Sequence, residues 1–232
     1  MTGEKAIILH IETSTEVCSV CLSEDSRIIE LIEDDTPFSH SSNITLFIDQ
    51  LFQSSNYTLQ DLTAVSISQG PGSYTGLRVG LSAAKGICFA NDIPLIAVDS
   101  LSVIAQGVKD QIKPSELVIP MIDARRMEVY ASVFNAQMIE ISPVDAVIID
   151  ECSFKRHRDQ PWVLCGNGAQ KTVSALNFDQ IRILPSFSSS RFMIDLVLAK
   201  YYKDAFEDLA YFSPSYFKAP HITSGKNILA KN

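Results

Sequence analysis

Three short apolar runs separated by polar residues open the chain. They cover residues 6–11, 17–22 and 28–32, with Thr, Ser, Glu and Asp between them. Short apolar runs bounded by turn-forming residues are typical of β-strands. The pattern therefore predicts three antiparallel strands at the start of the chain.

Two helices and two further strands follow. Residues 41–52 predict an amphipathic helix, with a serine at 39, 41 or 42 as its N-cap. Residues 62–68 and 94–98 predict strands, and a second helix runs between them to about Ala90. Because helical crossovers connect these strands, we expect them to be parallel. The apolar positions of the first helix recur at helical spacing: Ile44, Phe47, Ile48 and Leu51.

The rest of the chain predicts a second, less regular α/β unit. We place the first lobe at residues 1–103 and the second at 104–232. The second lobe should contain a helix after Gly168 and another from Arg191 to about Lys203. Its predicted strands cover residues 117–122, 127–134, 146–149 and 162–165.

Charge is distributed unevenly between the two parts. Residues 1–100 hold four basic and thirteen acidic residues, whereas residues 101–232 hold fifteen and fourteen, within a total net charge of −8. An acidic segment repels phosphate backbones, which argues against a nucleic-acid surface in the first part. The acidic residues either keep the protein in solution or meet a basic protein partner.

The five cysteines and the absence of long apolar segments bear on location. The cysteines are odd in number and most lie in apolar runs, as reduced thiols do. Cys18 and Cys21 have redox spacing but lie in a predicted strand, where we expect them in the core. The sequence has no signal-peptide pattern and no apolar run of membrane-spanning length. We therefore expect a cytoplasmic protein without a membrane segment.

The segment from Gly70 to Arg78 is the richest in chemical information. Gly70 and Gly72 allow a tight turn after a strand, and Ser73 or Thr75 can cap the next helix, whose N–H groups would attract an anion. The dinucleotide and P-loop fingerprints are both incomplete here. Packing and ligand binding therefore both remain open for this turn.

The helix after this turn carries a stripe of small residues. Gly76, Gly80, Ala83 and Ala84 recur every three or four positions, so another helix or the sheet can approach closely. The neighbour would be the preceding helix or a helix of another chain. An interface formed by the two helices would present Tyr74, Leu77 and Leu81 beside Ile44 and Phe47.

Catalytic and metal motifs are sparse. The four histidines stand apart, without a His-x-x-x-His pair, and no metal site is expected. Residues 123–126, Asp-Ala-Arg-Arg, could bind an anion through the two arginines, or these could form salt bridges across a tight turn to Asp123 and Glu128. Gly166 and Gly168 follow a strand and could face a phosphate or simply start a helix.

Several motifs together resemble the TsaB (YeaZ) family. They are residues 8–20 with Glu12-Thr13-Ser14, His40-Ser41, the Gly-Pro-Gly-Ser-Tyr-Thr-Gly-Leu-Arg string from Gly70, residues 121–130 and residues 166–171. A short echo, Pro-Ser-Tyr-Phe-Lys, follows at residues 214–218. The resemblance is dense over residues 6–134.

The resemblance implies the α/β fold of actin, Hsc70 and the sugar kinases (ASKHA), with two related lobes of which the second is reduced. It also implies an accessory subunit in making threonylcarbamoyladenosine in tRNA, paired with the catalytic paralogue TsaD and joined by the ATPase TsaE. The chain would form a homodimer when alone and would meet tRNA only through the complex. It would hold no cofactor of its own, and ATP or ADP at the complex interface stays open.

One departure from the family concerns Glu12. Members usually have Asp there. Kinases of the superfamily use Asp-x-Gly-Thr, whose glycine lets phosphate approach the turn, whereas this chain has Glu12-Thr13-Ser14. This argues against ATP hydrolysis by the chain alone. The alternative function is an independent ATP-dependent kinase or a glycoprotease-type peptidase.

Two groups of candidate residues follow, without a catalytic or metal set. The partner-binding group is His40, Ser41, Ile44, Phe47, Ile48, Leu51, Tyr74, Leu77, Arg78, Gly80, Leu81 and Ala84. The group that could face an anion or nucleotide is Glu12, Thr13, Ser14, Gly70, Gly72, Ser73, Gly166 and Gly168.

Overall fold

The computed structural model describes residues 5–35 and 40–217, with side chains from residue 43 in the second range. Two five-stranded sheets organise these residues. The elements up to residue 106 are β1 (Ile7–Glu12), β2 (Cys18–Glu24), β3 (Arg27–Asp34), α1 (His40–Ser54), β4 (Ala64–Ser68), α2 (Tyr74–Asn91), β5 (Leu95–Val98) and α3 (Ser100–Gln106). The first sheet has the order β3-β2-β1-β4-β5, and the predicted antiparallel and parallel pairings are confirmed.

The second sheet repeats this topology, with shorter helices. The elements after residue 116 are β6 (Leu117–Asp123), β7 (Glu128–Phe134), β8 (Glu140–Ile148), β9 (Trp162–Cys165), α4 (Ala169–Leu176), β10 (Ile181–Ile183) and α5 (Ile194–Tyr201). The order of this sheet, read from its other end, is β8-β7-β6-β9-β10, with β6 antiparallel to β7 and parallel to β9. Two related lobes, the second reduced in its helices, are therefore confirmed.

Three elements differ from the sequence prediction. β8 is longer than the predicted strand over residues 146–149, because it pairs with the full length of β7. β10 has three residues and was not predicted, since so short a run carries no periodicity. The last helix begins as a 3₁₀ turn at Ser190–Met193 and ends at Tyr201, two residues before the predicted end.

The core of the first lobe lies on both faces of its sheet. On one face, α1 and α2 contribute Ile44, Leu51 and Leu81 to the cluster that contains Leu9 and Val20. The opposite face is covered by α5. In sequence α5 belongs to residues 104–232, the predicted second lobe, whereas in space it packs on the first sheet. The buried members of that contact include Ile8, Ile96, Met193 and Val197.

Candidate functional site

The turn between β1 and β2 holds a buried carboxyl group. Glu12 ends β1, and its side chain is fully buried. One carboxylate oxygen, Oε1, accepts hydrogen bonds from the Ser14 backbone N–H at 2.6 Å and from the Ser68 hydroxyl at 2.9 Å. Burial raises the pKa of Glu12 above its ordinary value, although these hydrogen bonds oppose the shift. The carboxyl group is thus held inside the turn by hydrogen-bond donors of the same chain.

The glycine segment after β4 lies against this turn. A Cβ atom added to Gly72 would lie 2.7 Å from Ser14 Cβ and 2.8 Å from the Ser14 carbonyl carbon. At Gly76 an added Cβ would lie well under 3.0 Å from the Thr13 carbonyl oxygen. The Ser73 backbone N–H also donates to the Ser14 carbonyl at 2.6 Å. Close backbone packing therefore explains the two glycines, and the structure favours packing over ligand binding between these turns.

Gly70 has a separate requirement. Its φ of +107° lies in the region that side chains rarely adopt, and an added Cβ would meet the Ser215 carbonyl oxygen at 3.0 Å. Ser73 is the N-cap of α2 and accepts a hydrogen bond from the Gly76 N–H at 3.2 Å, so Ser73 rather than Thr75 caps this helix. The predicted cap of α1 falls on side chains outside the described residues.

The two glycines in the stripe of small residues on α2 pack on the first sheet of the same chain. An added Cβ at Gly80 would meet Ile67 Cδ1 at 3.0 Å and would overlap Thr13 Oγ1. Thr13 Oγ1 in turn donates to the Gly76 carbonyl at 2.8 Å. Gly76 and Gly80 therefore pack on β4 and the β1–β2 turn, which confirms close approach of the sheet. Ala84 of the same stripe lies in the core cluster that contains Ile44 and Leu51 of α1.

The predicted partner-binding residues divide by exposure. Tyr74 and Arg78 are exposed and Phe47 is half-buried, while the side chains of His40 and Ser41 lie outside the described residues. The remaining seven are buried in the first lobe: Ile44, Ile48, Leu51, Leu77, Gly80, Leu81 and Ala84. In this conformation those seven hold the two helices in place and offer little surface to a partner.

A segment near the end of the described chain covers the start of α2. Arg78 lies over the ring of Tyr74 at 3.9 Å, and its Nε donates to the Tyr216 hydroxyl at 2.9 Å. The rings of Tyr74 and Tyr216 are 5.2 Å apart. The Ser215 N–H donates to the Gln69 carbonyl at 2.8 Å. Sequence reasoning missed this contact because the two segments lie far apart in the chain.

The second glycine turn packs in a similar way. Gly166 has a φ of +88°, and an added Cβ would overlap the Met121 carbonyl oxygen. Asn167 accepts a hydrogen bond from the Asp123 N–H at 2.9 Å through Oδ1 and donates to Glu16 at 2.6 Å through Nδ2. At Gly168, an added Cβ would lie 3.1 Å from the Asp123 nitrogen. This turn therefore joins β6 to the β1–β2 turn of the first lobe.

In the Asp-Ala-Arg-Arg turn at residues 123–126, Asp123 forms its salt bridge with a lysine and not with an arginine of the turn. Asp123 pairs with Lys171 at 2.6 Å, and Lys171 also donates to the carbonyl groups of Arg126 and Glu128 at 2.8 Å. The predicted salt bridge from Asp123 therefore goes to α4 and not to an arginine of the turn. Anion binding by Arg125 and Arg126 stays a prediction.

A serine tract completes the buried polar region. Ser188, Ser189 and Ser190 are fully buried, Ser14 Oγ donates to Ser188 Oγ at 3.4 Å, and the Ser190 N–H donates to Ser19 Oγ at 2.8 Å. Within the described residues, Glu12 Oε2 and Ser190 Oγ have no hydrogen-bond partner. In the sequence this region shows only a short serine-rich stretch at residues 186–190, Ser-Phe-Ser-Ser-Ser.

The described ranges contain no cluster of three or more His, Cys, Asp or Glu side chains arranged to hold a metal ion. His10 lies in the core between the hydroxyl groups of Ser66 at 2.8 Å and Ser23 at 2.9 Å, and burial lowers its pKa to about 3. Cys18 and Cys21 are buried as expected, and burial raises the pKa of each to about 12. No helix in the described part of the chain is long and apolar enough to cross a bilayer.

Comparisons with known proteins point to one group. A family model described as TsaD, tRNA N6-adenosine threonylcarbamoyltransferase, matches residues 36–224. The Escherichia coli K12 protein named tRNA threonylcarbamoyladenosine biosynthesis protein TsaB is 32% identical over 168 residues, which is 70% of this chain and 72% of that protein. The Haemophilus influenzae TsaB protein is 38% identical over 128 residues, 54% of this chain, and the match spans about half of that relative, 52%.

Solved structures agree on the fold. YeaZ from Pseudomonas aeruginosa superposes with a TM-score of 0.77 at 21% identity, covering 91% of this chain and 99% of that one. A Pseudomonas aeruginosa protein described as similar to peptidase YEAZ superposes with a TM-score of 0.82 at 22% identity, covering 92% of this chain and 100% of the other. The predicted fold class is confirmed.

Proposed function

Because this chain belongs to the TsaB (YeaZ) family of tRNA threonylcarbamoyladenosine biosynthesis proteins, we propose that its part in that biosynthesis is that of a non-catalytic subunit. It pairs with a TsaD-like catalytic subunit and supports transfer of the threonylcarbamoyl group to the adenosine beside the anticodon. A TsaE-like ATPase completes the assembly, and tRNA is contacted through the complex.

The packing of the β1–β2 turn carries the non-catalytic part of the proposal. A phosphate group bound at such a turn needs free backbone N–H groups and space near the backbone. Here the Ser14 N–H donates to the chain's own Glu12, and the carbonyl of Ser14 is in contact with Gly72 and Ser73. An internal carboxyl group and a packed glycine turn thus occupy the place where a phosphate would bind.

The exposed side of α1 and α2 supports the pairing part. Leu46 on α1 is 56% exposed, and Tyr74 and Phe89 on α2 are 47% and 84% exposed. Large apolar side chains on neighbouring helices are typical anchors of a protein interface. An added Cβ at Gly86, on the solvent side of α2, would meet no atom within 4 Å. We therefore propose that the partner packs on this outer side, while the buried residues of both helices orient it.

The space around each glycine of α2 determines which substitution is a useful test of the interface. Gly80→Arg would disrupt the fold, because Gly80 is in contact with Thr13 and Ile67 of the same chain. Gly86→Arg adds a large charged side chain in open space and should leave the melting temperature at or above the wild-type value. Ser174→Arg, on the exposed side of α4, is the matched control in the second lobe.

The experiment measures binding of each variant to the TsaD-like subunit from the same cell, together with the modified nucleoside in tRNA by mass spectrometry. We expect Gly86→Arg to weaken binding at least about tenfold and to lower the nucleoside in depleted cells, with Ser174→Arg unchanged. Normal binding by Gly86→Arg would overturn the proposed surface. Unchanged nucleoside after depletion of the protein would overturn the proposed function.

ATP or peptide turnover by the purified chain, lost on Glu12→Ala, would support instead the independent kinase or peptidase. Self-association is proposed to use the same helices. Sedimentation of wild-type and Gly86→Arg protein tests this, because a homodimer on that face should dissociate in the variant alone.

A further inference from the structure

A cavity in the second lobe lies outside the regions described so far. It has a volume of about 350 Å³ and lies over the inner face of β7 and β8. Ala131, Val133 and Val147 form its apolar floor, and Phe154 forms a wall. Ser142, Asp145, Cys152, Lys155 and Arg156 supply the polar lining.

The duplicated topology explains why this space exists. In the first lobe, α1 covers the corresponding face, where Ile44, Ile48 and Leu51 pack with Val20 and Leu22 of β2. In the second lobe, the connection from β8 to β9 contains a 3₁₀ turn at Lys155–His157 instead of a long helix. In the described part of the chain, a cavity and not a helix therefore lies over this face. Ala131 and Val133 are buried beneath it, and Val147 is half-buried.

The polar side of the cavity is organised around Ser142. Its hydroxyl group is within 3.0 Å of His157 Nε2 and accepts a hydrogen bond from Arg156 Nη2 at 3.1 Å. Burial, together with the neighbouring Arg156, lowers the pKa of His157, so the imidazole is neutral at pH 7. The guanidinium of Arg156 is thus held at the cavity while its side chain stays exposed, and Lys155, also exposed, lines the same cavity.

The volume and the lining fit a small ligand. Ligand cavities measure about 300–1,000 Å³ and combine an apolar lining with a few polar groups that fix orientation. Arg156 and Lys155 together outnumber the single acidic lining residue, Asp145. We propose that this cavity binds a small organic carboxylate, with its apolar body on the β7–β8 floor and its carboxylate on Arg156 and Lys155.

Cys152 makes the proposal testable without knowing the natural ligand. Its thiol lines the cavity and is exposed, whereas the other four cysteines of the chain are buried. Alkylation by iodoacetamide, followed by mass spectrometry of the Cys152 peptide, therefore reports access to the cavity. The probes are sodium hexanoate, hexanol and hexylamine, which share an apolar body and differ in charge.

We expect hexanoate to slow alkylation of Cys152 saturably, with half-protection on the order of 10 mM. Hexanol should protect less and hexylammonium should not protect. In Arg156→Ala, half-protection should need at least about tenfold more hexanoate, because a charge-assisted hydrogen bond is lost. Lys203→Ala, an exposed cation outside the cavity, is the matched control.

Each rate is compared with and without the probe in the same variant, so that a change in intrinsic thiol reactivity cancels. Arg156 is exposed, so its truncation should leave the protein folded. Absence of saturable protection in the tens of millimolar range would overturn the proposal. Equal protection by hexylammonium, or an unchanged hexanoate response in Arg156→Ala, would overturn it as well.

Discussion

Gly72→Ala tests whether the glycine turn is a packing contact. The new Cβ would lie 2.7 Å from Ser14 Cβ and 2.8 Å from the Ser14 carbonyl carbon, where real Cβ atoms are essentially never found closer than 3.0 Å. The atoms in contact belong to the Ser14 backbone and its Cβ, and no flexible side-chain end can move aside. The β1–β2 turn and the start of α2 must therefore separate.

The magnitude follows from two contributions. Inserting a methyl group into a packed region costs about 1–3 kcal/mol. Separation also weakens the hydrogen bond from the Ser73 N–H to the Ser14 carbonyl, worth about 1 kcal/mol. The free energy of unfolding should fall by about 2–4 kcal/mol, and at about 2–4 °C per kcal/mol for a chain of this size the melting temperature should fall by about 4–16 °C.

The assay is thermal unfolding followed by circular dichroism, with Gly86→Ala as the matched control. An added Cβ at Gly86 meets no atom within 4 Å, and alanine is the better helix former by about 1 kcal/mol. The control should therefore melt at or slightly above the wild-type temperature. If Gly72→Ala melts within about 1 °C of wild type, the packing argument fails.

Three further predictions concern single side chains. Glu12→Gln should flatten the pH dependence of the free energy of unfolding. Because burial raises the pKa of Glu12 above 4.5, the wild type loses stability as the pH rises from 4.5 through the pKa of the folded state. Parallel curves of unfolding free energy against pH for the two proteins would contradict this. Native protein should show one rapidly reacting thiol, Cys152, with an aromatic disulfide reagent, and a second fast thiol would show that a buried cysteine is accessible. Ser73→Ala should lower the free energy of unfolding by about 1 kcal/mol in denaturant titration, and Ser73→Asp should retain the cap; equal loss in both would rule out capping as the cause.

Most of the regular elements could be predicted from local patterns. The apolar runs of β1 to β3 and the helical spacing in α1 arise from neighbouring residues alone, so the sequence contains the whole signal. β10 could not be predicted, because a strand of three residues is too short to show a periodic pattern of apolar positions. The full length of β8 could not be predicted, because its pairing with β7 is irregular and the partner strand determines where a strand ends.

The candidate site was predictable only in part. The Gly70–Arg78 string marked a special turn and Ser73 a helix cap, and both are present. The spacing of Gly76 and Gly80 does not predict which residues they contact. Their neighbour is the β1–β2 turn, about sixty residues earlier in the chain, where Thr13 donates a hydrogen bond to the Gly76 carbonyl. For the same reason Leu77 and Leu81 were expected at an interface and lie in the core.

The sequence by itself determined the family, the α/β class and the position of the glycine turns, because these depend on residue order and local periodicity. Only the tertiary structure decided what those turns contact, which side of α2 faces solvent, and that Glu12 fills the β1–β2 turn. Contacts between distant segments decide these points, and periodicity within one segment carries no information about them. The cavity over β7 and β8 likewise depends on tertiary structure, because residues from two strands and the connection between β8 and β9 line it.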